Sequence, residues 1–339
     1  MSLIKIISIA KGKTMFMTNS QYQKEKAISH SLIVEILDNV LTAYKTSAWN
    51  PDYVNDKDND ALVQGNLYHI LIGAPQIVAN CQEYLDKFFA AQEQYQKAKA
   101  DKKKAKANAK IAEAPYVSIE HIDGKIHIAD FGLTRRNKAY TEIKTAINLG
   151  DDDYIVSTDE FKNICDMVRF LIVHPIYNSI HTGAEIAGDE RVLLTKIDGY
   201  DYKCKIDRLL KIGNKYRIID WKTTKETSLE TIACRGESMG YHIQAELYKR
   251  IVSIVFEVPI EDVEMVFVFQ NKENPELVYA LDFEDESLDY AKNQREMAVA
   301  DFMERLGRGN GLVDFMPIQT EIKHFRHFPE KFTDFVGMV

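Results

Sequence analysis

Residues 200–225 read YDYKCKIDRLLKIGNKYRIIDWKTTK, two strand-like runs around a Gly213-Asn214 turn signal. A two-residue turn there pairs Ile212 with Lys215. Counting outward in antiparallel register sets Asp207 opposite Asp220 and Lys205 opposite Lys222, all on one face. Directly opposed side chains hold their Cβ atoms about 4.5–5.5 Å apart. Two ionised carboxylates that close, in strands otherwise built from Ile, Leu, Cys and Trp, repel each other unless one is protonated or a cation lies between them. Oxygen donors suit a hard ion, Mg²⁺ or Mn²⁺. Lys222, beside such an ion, would position or activate a water. The same spacing also describes a surface hairpin with cross-strand Lys–Asp pairs, so spacing alone leaves both readings open.

Outward from this stretch, residues 18–49 read as helical, with Ile28, Leu32, Ile36, Leu37, Val40 and Leu41 at helical spacing. Ala61–Ile72 is a second apolar-periodic helix, closed by Gly73 and Pro75. Residues 92–113 (QEQYQKAKADKKKAKANAKIAE) carry seven Lys against three acids, the composition of a solvated helix or excursion, or of a phosphate-contacting arm. Tyr116–Phe131 is β-rich, with Asp123-Gly124 as a hairpin signal, and helical patterns cover 136–149 and 158–173. From Gly183 to Lys222 the period is strand-like, with a further turn signal at Asp198-Gly199. A helix over 239–256, a buried strand Val263–Gln270, an edge strand Leu277–Phe283 and a helix over 285–308 complete an α/β or α+β order without internal repeat.

The 339 residues are 45% hydrophobic and 28% charged, which excludes disordered and fibrous classes and leaves room for a sizeable core. Lys and Arg number 43 against 51 acids, a net charge of −8, which excludes a simple DNA-coating protein. It does not exclude an enzyme that acts on DNA, because only the surface near the site has to be positive. Lys97–Lys110, Lys203–Arg208 and Lys222–Lys225 are the candidates for that surface. The four cysteines form no CxxC pair, so zinc and iron–sulfur readings lack support. No GxxxxGK[ST] or GxGxxG occurs, and no nucleotide cofactor is expected. No apolar run approaches the ~18 residues of a membrane span. The opening MSLIKIISIAKGK is broken by Lys5 without a cleavage site, so the expected location is cytoplasmic; Met15 or Met17 could also serve as the start.

An acid ending one strand and Asp220-Trp221-Lys222 ending the next resembles the core motif of the PD-(D/E)xK nucleases. Four further segments resemble the branch of phage and prophage exonucleases that includes RecE (exonuclease VIII). ISHSLIVEILDNVLTAYK (28–45) looks like its opening helix, and GNLYHILIGAP (65–75) like its Gly-x-x-x-His motif. GAEIAGDERVLLTKIDGYDYKCKIDRL (183–209) is similar to the strands before the first acid, and GYHIQAELYK (240–249) to the Gln-x-x-x-Tyr motif. The resemblance spans about residues 25–310.

It implies a restriction-endonuclease-like α/β core, a central mixed sheet flanked by helices. The expected limits are an N-terminal extension (1–24), one RecE-like nuclease domain (25–310) with the Lys-rich excursion, and a C-terminal tail (311–339). It also implies Mg²⁺, with Mn²⁺ as a substitute, held by His69, Asp207, Asp220 and the carbonyl of Trp221, with Lys222 catalytic beside them. Glu185 is taken as a further carboxylate ligand, in competition with Asp189 and Glu190. Gln244 on a buried helical face requires a polar partner, which the active site or a DNA phosphate would supply. Tyr241 and Tyr248 share that face, and Lys205 and Lys225 are expected near phosphate. The implied activity is an exonuclease on linear double-stranded DNA, 5′ to 3′, in phage-type recombination. A RecT-like annealing partner and a homo-oligomer are implied with it. The competing expectations are an endonuclease of the same core and a catalytically inactive DNA-binding module.

Overall fold

The Gly213-Asn214 turn closes the hairpin in the register expected of it, with Ile212↔Lys215, Lys211↔Tyr216, Leu210↔Arg217, Leu209↔Ile218 and Arg208↔Ile219 paired. Gly213 takes the positive φ of 60° that a two-residue turn of this kind asks of its first position. The structure is a computed structural model that describes residues 7–9, 12–15, 17–53, 60–105, 115–121, 124–131, 138–150 and 152–316. Among them, one mixed sheet runs in the order β1 (Ile7–Ile9), β2 (Gly12–Met15), β6 (Glu185–Ile197), β7 (Tyr200–Ile212), β8 (Lys215–Thr224), β9 (Val263–Asn271) and β10 (Val278–Leu281). Only β8 and β9 are parallel neighbours in it. A small second sheet holds β3 (Tyr116–His121), β4 (Gly124–Ala129) and β5 (Tyr154–Val156).

The helices are α1 (Asn19–Lys24), α2 (His30–Lys45), α3 (Asp60–Gly73), α4 (Pro75–Ala79), α5 (Cys81–Ala105), α6 (Lys138–Ala146), α7 (Thr158–Val173), α8 (Pro175–His181), α9 (Leu229–Ser238), α10 (Tyr241–Phe256), α11 (Asp285–Arg308) and α12 (Leu312–Phe315). The period-two alternation of β8 and β9 sorts the core into two layers. Ile218, Met265, Phe267 and Phe269 face α2, α10 and α11. Ile219, Trp221 and Val268 face α3, α7 and the small sheet. Asp220 and Lys222 share the face of β8 that carries Ile218 and therefore fall on its α10 side.

Two expected boundaries change. Residues read as an N-terminal extension supply β1 and β2, and β2 pairs with β6 from Gly12↔Thr195 to Met15↔Val192, so the sheet begins before residue 25. At the other end, Leu312–Phe315 of the expected tail form α12, whose Phe315 is buried against Tyr44 and Phe302, so the core continues past residue 310. The Lys-rich stretch is the distal half of α5 up to Ala105; residues 106–114 lie outside the described residues, as do Asp123 of the expected turn and the tail beyond Met316.

α1 is tied to the sheet by a buried cation. Lys203 Nζ donates to the carbonyls of Tyr22 at 2.6 Å and Glu25 at 2.8 Å, satisfying acceptors that the C-terminus of a short helix leaves open. It also sits 4.5 Å from the Tyr22 ring centroid. Burial pushes its ammonium down to about 8, against a smaller upward pull from Glu25. Above that value the unfolded chain still holds a proton the folded chain has released, so folding stability rises with pH from about 8 to the ordinary lysine range. Urea unfolding at pH 8, 9 and 10 should show wild type gaining on Lys203→Met across that window. Parallel pH profiles for the two proteins would refute this role for Lys203.

Candidate active site

The β7–β8 ladder ends at Arg208↔Ile219, one residue short of the two acids. Beyond it β8 pairs with β9 alone and β7 with β6, so the strands part at Asp207 and Asp220. The N–H of Trp221, released by this divergence, donates to Asp207 Oδ2 at 2.8 Å. Splaying also separates the two lysines expected to face each other. Lys205 pairs across with Val192 and turns to Glu190 and Asn19, whereas Lys222 turns to Asp220 and Tyr241.

α3 brings His69 into the gap from the other layer. Its Nδ1 lies 3.4 Å from Asp207 Oδ1, and its Nε2 donates to the Trp221 carbonyl at 2.7 Å. That second bond fixes the ring and leaves Nδ1 as the nitrogen facing the carboxylates. Candidate ligand atoms of His69, Glu190 and Asp207 lie within 4.8 Å of one another. Asp220 stands beside this trio, held by Gln244 Nε2 on Oδ1 at 2.5 Å and by Lys222 Nζ, 2.6 Å from Oδ2.

The charges are strongly coupled. Burial works against a charged His69, but the Asp207 carboxylate beside it, with Glu190, raises it to about 9. Burial likewise opposes ionisation of Asp207, yet His69 and Lys222 hold it below the usual carboxylate range. Glu190 is pushed up by burial and by Asp207, against the pull of Lys205. Asp220 is also pushed up by burial and by Asp207, which outweighs Lys222. Lys222 is raised despite its burial, because Asp220 and Asp207 favour its charge. Three carboxylates thus share a half-buried cleft with an imidazole and two ammonium groups.

This donor set fits a hard divalent cation. Glu190 Oε1 is buried and has no hydrogen-bond partner, an acceptor aimed into the cluster with nothing to satisfy it. Carboxylate oxygens plus one imidazole nitrogen are the ligands Mg²⁺ or Mn²⁺ takes.

The structure places the remaining expected residues as follows. Trp221 supplies its carbonyl to His69, while its indole is buried and stacked on Tyr177 and His181 at 5.9 and 6.3 Å. Gln244 finds its polar partner in Asp220. Tyr241 stacks on Phe267 and lies under the Lys222 ammonium, 5.2 Å from its ring centroid. Tyr248 is a correction: it is 8% exposed within the α10 core and presents no surface to DNA. Lys225 is exposed and 3.5 Å from Glu273, away from the acids. Glu185 is the second correction. It is exposed at the start of β6, paired with Lys211 toward the hairpin end, and Glu190 occupies the place assigned to it. Asp189, the other competitor, is taken up by a two-pronged ion pair with Arg208 at 2.6 and 3.0 Å.

The sequence held a signal for Glu190. Asp198-Gly199 is a two-residue turn with both φ values positive, closing Ile197 on Tyr200. Counting outward from it, as from Gly213-Asn214, sets Glu190 opposite Asp207.

The model of a PDDEXK-like domain of unknown function (DUF3799) matches residues 29–307 of the chain. No curated protein matches it. Among solved structures the chain is similar to a "putative exonuclease" from Eubacterium rectale, with a TM-score of 0.48 and 13% identity over 96% of this chain and 100% of that one. SSO0001 matches with a TM-score of 0.22 and 15% identity over 48% of this chain and 76% of that one. The family match covers most of the chain.

Proposed function

We propose that this chain, which belongs to the PDDEXK-like family DUF3799 and has an α/β core of that type, is a Mg²⁺-dependent nuclease that degrades linear double-stranded DNA from its ends. The observation that carries the reading is the half-buried trio of His69, Glu190 and Asp207 beside Asp220-Trp221-Lys222. His69 Nδ1, Asp207 and Glu190 would hold the ion, with Asp220 beside them in its ion pair with Lys222. A bound Mg²⁺ supplies a water of lowered pKa and positive charge against the scissile phosphate.

The chain's own groups do the rest. Asp220 and Asp207 keep Lys222 protonated, so its ammonium serves as a hydrogen-bond donor and positive charge rather than as a base. It is positioned to orient the attacking water and to stabilise charge gathering on the phosphate oxygens. Tyr241 beneath it and Asp220 beside it fix that ammonium, and Gln244 fixes Asp220 in turn. The Trp221 carbonyl keeps the His69 proton on Nε2, away from the ligand nitrogen.

The sequence resemblance supports 5′-to-3′ digestion, a role in phage-type recombination with a RecT-like annealing partner, a homo-oligomer and a cytoplasmic location as parts of the same proposal. Among the described residues no helix is long and apolar enough to cross a membrane. Linear duplex labelled separately at its 5′ and 3′ ends, run beside closed circular duplex in Mg²⁺, tests the reading. Early release of the 5′ label with intact circles is expected. Cut circles would replace the exonuclease with an endonuclease, and DNA that is bound but never cut would leave a binding module.

A further inference from the structure

Each other arginine among the described residues has a carboxylate partner, including the half-exposed ones on α7, α10 and α11. Arg191 has neither a carboxylate nor a hydrogen bond, although its Nε is buried. A buried guanidinium N–H without an acceptor is costly, and its fork of N–H donors matches the paired oxygens of a backbone phosphate.

Its position is specific. Arg191 follows Glu190 on β6 and pairs across with Ile206, the residue before Asp207. Glu190 takes a positive φ of 49°, so its carboxylate enters the cluster while the next side chain is turned elsewhere. The Arg191 side chain runs back over Gly188, where an added Cβ would stand 2.0 Å from Nε, 2.6 Å from Cγ and 2.7 Å from Cδ. Only glycine leaves room for it. On its far side, β6 is paired with β2 no further than Val192, so among the described residues the segment 185–191 is a sheet edge.

We propose that Arg191 is a phosphate clamp. Its guanidinium, laid on Gly188 at the edge beside the catalytic carboxylates, binds a backbone phosphate of the DNA strand next to the scissile one. This rests on the nuclease reading for the identity of the ligand. The local field explains why an arginine is needed. His69, Lys205 and Lys222 do no more than balance the three carboxylates, and a fixed cation at the rim adds the positive charge a polyanion needs without entering the cluster.

Fluorescence anisotropy of a labelled duplex, with Ca²⁺ in place of Mg²⁺ and NaCl varied, tests the clamp on the full chain. Arg191→Ala should weaken binding about tenfold and lower the slope of log affinity against log salt by about 1. Gly188→Ala, which keeps the charge but displaces the side chain, should lose comparable affinity. Mn²⁺ affinity should be the same in all three proteins, and in Mg²⁺ both variants should raise KM far more than they lower kcat. Wild-type affinity and salt slope in Arg191→Ala would overturn the clamp, and so would loss of Mn²⁺ binding, which would mean that Arg191 acts through Glu190. A wild type that binds DNA in an Arg191-dependent way but never cuts it would overturn the nuclease reading and leave the clamp standing.

Discussion

Asp207→Asn is expected to cut linear duplex DNA on the order of 10³-fold more slowly than wild type under single-turnover conditions. The substitution isolates charge. An amide oxygen can still accept the Trp221 N–H now bonded to Asp207 Oδ2 at 2.8 Å, and the volume is unchanged, so the divergence of β7 and β8 is preserved. What is removed is the one carboxylate that contacts His69, neighbours Glu190 and favours the charge on Lys222. The variant should also bind Mn²⁺ more weakly, and its thermal midpoint should stay close to that of wild type. A variant that cuts at more than a tenth of the wild-type rate would remove Asp207 from the chemistry.

The largest stability loss is expected from Glu246→Ala. Glu246 and Arg295 are 3% and 1% exposed, joined at 2.8 Å, and Arg250 reaches the same carboxylate at 2.6 Å. This pair locks α11 onto α10, the helix that carries Gln244 and Tyr241. Arg295 also lies against Tyr202 on β7, 5.7 Å from its ring centroid. Deleting the carboxylate leaves a guanidinium buried with only the Tyr202 hydroxyl and Glu296 near it, both at 3.4 Å. Breaking a buried pair from one side costs roughly 3–5 kcal/mol. Replacing both partners with apolar residues, Glu246→Leu with Arg295→Met, should recover most of that loss. Urea unfolding of the single and double variants measures it, and a single variant within 1 kcal/mol of wild type would contradict the assignment.

The parts of this fold that were legible from sequence are those set by local rules. Gly213-Asn214 is a turn that admits one register, and the alternation of Ile218, Asp220 and Lys222 follows from it without tertiary information. The capped helix Thr158–Val173 and the helix Asp285–Arg308 lie where their apolar spacing puts them. Failures occur where the chain departs from regularity. Strict pairing carries Lys205 to Lys222, but the ladder stops at Arg208↔Ile219 because β8 takes its next partners from β9. Alternation cannot choose among Glu185, Asp189 and Glu190, because a register shift between Ile186 and Gly188 and the positive φ of Glu190 break it there. A tyrosine one turn after Gln244 looks equivalent to it on a helical wheel. The packing of Tyr248 against the sheet is a tertiary fact with no local signal.

The net charge of −8 takes on a different meaning at the site. Glu190, Asp207 and Asp220 gather where the proposed ion would bind, and His69, Lys205 and Lys222 balance their charge. A bound divalent ion inverts the local field, so an acidic total and a polyanionic substrate are compatible.

The most direct test of the central claim is release of acid-soluble nucleotides from linear duplex DNA by the purified chain, in Mg²⁺ and in EDTA. Steady release in Mg²⁺, none in EDTA, and recovery when Mg²⁺ is restored in excess are expected. Release that continues unchanged in EDTA, or DNA that stays whole in Mg²⁺, would contradict it.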